Sequence, residues 1–117
     1  MKINKSWESN DNQSISIYGK TYNIHACFVA SKDIPAKNLL IDDLFIGYSN
    51  PSKETLRSFI EHIKMVNDAD LKYPILMNED GEIIDGKHRL AKAILLGHKT
   101  IKAKRFIHDP SGCYTTD

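Results

Sequence analysis

Between residues 56 and 66 the apolar positions Leu56, Phe59, Ile60, Ile63 and Val66 recur at steps of three and four, the spacing of one helical face, while Arg57, Glu61 and Lys64 fall on the others. Asn50-Pro51 offers this helix a start, with Asn as cap and Pro at the first helical position, and Asn67 and Asp68 end it. Upstream, Ser14-Ile15-Ser16-Ile17-Tyr18 alternates, Gly19-Lys20 makes a turn and Thr21-Tyr22-Asn23-Ile24 resumes, which predicts a hairpin. Residues 25–29 can extend its second strand. The mostly apolar run 39–46, containing Asp42 and Asp43, reads as a strand or a short helical turn.

Downstream, Tyr73-Pro74-Ile75-Leu76-Met77 predicts a short buried strand opened by proline. Asn78-Glu79-Asp80-Gly81 is turn chemistry, and Glu82-Ile83-Ile84 returns as a second strand. Leu90, Ala91, Ile94 and Leu95 mark a helix over about 87–96, with Asp85 as its cap and Gly97 as its left-handed stop. Residues 100–107 partly alternate, as in a half-exposed strand. Residues 1–14 are expected to be flexible and 109–117 to be a loop-like tail. Between them, 15–108 form one small α+β domain: a mixed sheet of short strands, two main helices and an N-terminal β-hairpin.

Composition narrows the function. The 117 residues are 41% hydrophobic and 26% charged, enough for one packed core. No apolar run approaches the roughly 20 residues that cross a bilayer, so no membrane role is expected. The first residues lack a signal peptide's apolar centre, and Cys27 and Cys113 are too far apart for a paired metal motif, so a reduced, cytoplasmic protein is expected. The net charge of +1 argues against a uniformly basic nucleic-acid binder. It conceals an asymmetry: residues 1–86 hold nine Lys or Arg and 13 acids, a net −4, and residues 87–117 hold seven and two, a net +5.

That boundary falls in Glu82-Ile83-Ile84-Asp85-Gly86-Lys87-His88-Arg89-Leu90, where a strand hands over to a helix. Free N–H groups at a helix start attract anions, and glycine keeps side-chain bulk away from them. Lys87, His88 and Arg89 crowd the positive end of the helix dipole, where each cation costs about 0.3–1 kcal/mol. A bound phosphate reverses that sign. Alternatively, Glu82 and Asp85 merely neutralise an exposed basic turn.

On these motifs residues 34–107 resemble the ParB/sulfiredoxin fold superfamily. The resemblance lies in the helix at 56–66, then Tyr73-Pro74-Ile75-Leu76-Met77, Asp85-Gly86-Lys87-His88-Arg89-Leu90-Ala91-Lys92-Ala93, Leu96-Gly97-His98 and the closing strand 101–106. Sulfiredoxins carry Gly-Cys-His-Arg; Lys87 stands at the catalytic Cys position, which argues against sulfinic acid reduction. ParB proteins carry Gly-Glu-Arg-Arg and bind CTP there, and only Gly86 and Arg89 match. The ten residues after Ile107 leave no room for the helix-turn-helix that partition proteins add. Free serine kinases of this fold carry Asp-Gly-His-His-Arg, matched by Asp85, Gly86, His88 and Arg89.

The resemblance implies a nucleotide or phosphorylated ligand, ATP or CTP with Mg²⁺, held by Gly86, Lys87, His88 and Arg89. NTPase or phosphotransfer chemistry would add His88 as donor or proton shuttle, Asp85 as helix cap or metal holder, and Asp42 or Asp43 as base. Lys99, Lys102, Lys104 and Arg105 would extend the site toward a nucleic acid, as in ParB-like nucleases; otherwise they protect an exposed or edge strand. A third expectation is a non-catalytic module, such as a mobile-element protein that binds and inhibits a larger protein. His25, His62, His98 and His108 show no metal-ligand spacing. Cys27 reads as core and Cys113 as exposed, while Trp7, Tyr18 and Tyr22 are core anchors or a partner patch.

Overall fold

The computed structural model describes residues 13–44 and 55–117. Strands β1 (Ser14–Ile17) and β2 (Lys20–Asn23) form the expected hairpin, with Ile17 opposite Lys20. The turn is shifted by one residue from the sequence reading. Tyr18 and Gly19 are its two central residues, at φ 43° and 83°, the left-handed pair that matches the strand twist of a two-residue hairpin.

Residues 25–29 do not extend β2. They belong to helix α1 (Ile24–Ala30), because the Asn23 side chain accepts the Ala26 N–H at 2.8 Å and starts a helix instead. Strand β3 (Lys37–Leu40) passes into one 3-10 turn (Ile41–Asp43), so the run beginning at Leu39 is part strand and part helical turn. Helix α2 (Leu56–Asp68) starts where Thr55 Oγ1 accepts the Ser58 N–H at 3.0 Å; Asn50 and Pro51 lie outside the described residues.

The next four elements follow the sequence pattern closely. They are β4 (Ile75–Met77), β5 (Ile83–Asp85), α3 (Lys87–Leu95) and β6 (Thr100–Arg105). At the end of α3 the His98 N–H reaches the Ala93 carbonyl and the Gly97 N–H reaches that of Ile94, a closure that needs Gly97 at φ 79°. The tail is not a loop. A 3-10 turn (Ser111–Cys113) leads into strand β7 (Tyr114–Thr116), which pairs antiparallel with β2.

The expected α+β domain, a mixed sheet with an N-terminal hairpin, is what forms, and β7 makes the hairpin into a second sheet. One is ordered β1-β2-β7; the other is mixed, ordered β3-β6-β4-β5, with β4 parallel to β6 and the remaining pairs antiparallel. Strand β4 is buried on both faces. Ile75 and Met77 join Ile41, Leu90, Ala93, Ile101 and Ala103 in one core, while Leu76 joins Tyr22, Cys27, Ile84, Phe106 and Cys113 in another. Double burial explains why β4 reads as an unbroken apolar run. Tyr22 is thus a core anchor, Tyr18 is exposed, and Trp7 lies outside the described residues. Cys113 is buried rather than exposed. Among the described residues no helix is long and apolar enough to cross a membrane.

Candidate functional site at the start of α3

Gly86 occupies the cap position of α3 at φ 109°, and no side chain caps the helix. Its lack of a Cβ serves packing as well as conformation: a Cβ there would lie 2.6 Å from Ile75 Cγ2, inside the core. Asp85 ends β5 and turns away from the capping role assigned to it. Its Oδ2 instead accepts from Arg89 at 3.1 Å.

Arg89 is committed on both sides. One guanidinium nitrogen donates to the Pro74 carbonyl at 2.7 Å and the other to Asp85, with 18% of the side chain exposed. Fork-like bonding of this kind orients the β5–α3 junction on the start of β4. Two other residues change the electrostatic picture. His88 is held neutral, its pKa pushed down to about 4 by burial first, then by the Lys87 and His62 charges. The dipole penalty inferred for three cations therefore narrows to Lys87, which is exposed and has no acidic residue beside it in the first turn.

The residue that sequence reasoning missed here is His62. Its Nδ1 lies 2.9 Å from His88 Nε2 across the α2–α3 contact, with ring centroids 5.1 Å apart and planes inclined by 25°. One ring donates and the other accepts. No local signal could reveal a pair separated by 26 positions whose meeting depends on how two helices pack. Lys92 completes that contact by donating to the Asn67 and Ala69 carbonyls, at the end of α2.

Asp42 and Asp43, the proposed base, sit in the 3-10 turn after β3. Asp43 lines a cavity with Met77, Gly81 and Arg105. Gly86 and Arg89 meet Ile75 and Pro74 at the beginning of β4, whereas the cavity is at its end, beside Met77.

The basic strand is divided as well. β6 lies between β3 and β4, so it is not an edge. Lys104 donates to the Ser31 carbonyl at the end of α1, and Arg105 to the Glu79 carbonyl at 2.6 Å. Lys102 is exposed opposite Asn38 in β3, and Lys99 is exposed while its carbonyl accepts the Ile41 N–H. No group of three or more His, Cys, Asp or Glu side chains with metal-binding geometry forms among the described residues. No protein-family model matches this chain, and neither does any curated protein or solved structure.

Proposed function

We propose that this chain is a phosphate-recognising domain of the ParB/sulfiredoxin type, which binds a nucleotide or phosphorylated ligand at the start of α3 without catalysing its transfer. The observation that carries this reading is the uncapped α3 N-terminus itself: left-handed Gly86 precedes it, no acid lies in its first turn, and Lys87 projects there exposed. Backbone N–H groups and Lys87 would take the phosphate oxygens. Arg89 acts as a positioning residue through Pro74 and Asp85, and the His62–His88 pair sets the seat of α2 on α3. A binding role is favoured over a catalytic one because Asp85, the carboxylate within the motif, is engaged by Arg89. Mg²⁺ would then arrive with a triphosphate rather than in a preformed cage.

The discriminating variant is Lys87→Ala, because Arg89→Ala also removes two structural hydrogen bonds. In calorimetric titrations with ATP, CTP and GTP, at least one nucleotide binds the wild type, and Lys87→Ala weakens it about five- to tenfold. No binding by any of them, or equal binding by the variant, would sink the reading.

One observation favours a second reading, a protein-interaction module. Helix α2 has no buried residue, and Leu56, Phe59, Ile60 and Ile63 are all exposed along its apolar face. Faces of this kind on a folded domain suit a partner surface. Under that reading Phe59→Ser abolishes partner binding and Lys87→Ala leaves it intact.

A further inference from the structure

The cavity beside Met77 takes no part in the phosphate reading, yet it has the features of a binding site. Parallel strands β4 and β6 end side by side there, Met77 opposite Arg105. The space measures about 270 Å³, slightly below the roughly 300 Å³ at which pockets for drug-sized ligands begin. That size selects a small metabolite-like molecule.

Its walls define the chemistry. Leu39, Leu44 and Met77 form an apolar floor continuous with the core. Asp43, Asp80 and Arg105 supply the charges. Arg105 is tied to the Glu79 carbonyl, and Gly81, at φ 83°, leaves room for the guanidinium, which a Cβ would approach to 3.3 Å. The carboxylates of Asp43 and Asp80 have no hydrogen-bond or ion-pair partner among the described residues. Among the described lining residues, two carboxylates stand against one tethered guanidinium, an excess of one negative charge.

We propose that this cavity binds a small primary ammonium compound carrying an apolar chain, with the ammonium at Asp43 and Asp80 and the chain over Leu39, Leu44 and Met77. Arg105 adds selectivity: it repels a second positive charge, so a monoamine binds better than a diamine of equal length.

The test uses the full chain, isotope-labelled for NMR, titrated with hexylammonium chloride, 1,6-diaminohexane and hexanoate in parallel. Hexylammonium is expected to give saturable shifts at residues 39–44 and 79–81, and the diamine weaker ones. Asp43→Asn and Asp80→Asn should each weaken hexylammonium binding about two- to fivefold, the range of exposed ion pairs. Both positions are exposed, so neither change should move the urea midpoint. Absence of saturable shifts, unchanged affinity in the double variant, tighter binding of the diamine, or hexanoate binding as tightly as the amine would each overturn the proposal. Lys87→Ala should leave hexylammonium binding unchanged, which separates this site from the phosphate site.

Discussion

His88 shows how a single residue's role depends on its neighbours. On the chain it is one of three adjacent basic residues; in the fold it is a neutral ring bonded to His62. Its pKa falls from 6.5 to about 4 on folding, so the unfolded chain binds more protons between those values. Stability contributed by this group is therefore fully present above about pH 6.5 and is lost as pH falls toward 4. The contribution is a few kcal/mol at most, since each tenfold difference in proton affinity is worth about 1.4 kcal/mol and a partly exposed ring is screened by solvent. Urea denaturation at pH 7 and pH 4.5 measures it. The wild type should lose more stability on acidification than His88→Gln, and equal losses would show that the pair does not govern the pH response. His88 was legible as an unusual residue in the sequence, whereas its neutrality was not, because burial and His62 arise only when α2 packs on α3.

Among the elements, α2 and α3 have similar sequence patterns, and the two differ in that α3 alone puts a residue of its stripe into the core. Both carry apolar stripes at helical spacing; α3 runs close to its expected length, while α2 starts at Leu56 after the Thr55 cap, later than the Asn50-Pro51 start expected of it. In α3 one of the expected apolar positions is core: Leu90 is 4% exposed beside the fully buried Ala93, while Ile94 and Leu95 are exposed. In α2 the stripe is largely exposed, and α2 rests mainly on α3 through His62, His88 and Lys92. Leu90→Ala should accordingly cost about 3 kcal/mol of unfolding free energy, through lost transfer energy and the cavity left behind. Phe59→Ser should cost less than about 1 kcal/mol. Denaturant midpoints decide between this and a buried α2 stripe, for which both substitutions would be severe. Periodicity reports a face and says nothing of what covers it, so only the packing distinguishes the two helices.

At the scale of the whole molecule, the C-terminal segment is a structural member. Asp109 has no exposed side-chain surface and ties three regions together. Its Oδ2 accepts from Tyr22 Oη at 2.6 Å and from Lys20 at 3.4 Å, and its Oδ1 from the Glu79 backbone at 2.8 Å. Asn78 reaches the same tyrosine, whose pKa is pushed up to about 12 by burial and then by Asp109. Asp109→Ala should lower stability by roughly 3 kcal/mol, because it strands buried donors and a partly buried lysine. Removing residues 109–117 should abolish the cooperative transition in urea and the near-ultraviolet signal of packed aromatics. A dispensable tail would leave both unchanged. The order strand, helix, hairpin, helix, strand was legible from local signals: the apolar run of β4, the turn 78–81, and Gly86 and Gly97 around α3. Such signals depend on residues a few positions apart, and so does the acid-free start of α3, whereas the sequence pointed to Asp85 as a cap and the fold pairs it with Arg89. Tertiary structure alone decided the split into two sheets, the capture of the tail by β2, the His62–His88 contact and the engagement of Arg89. Each joins residues whose encounter depends on chain closure over long distances, where burial and charge pairing select the partner and no local spacing encodes it.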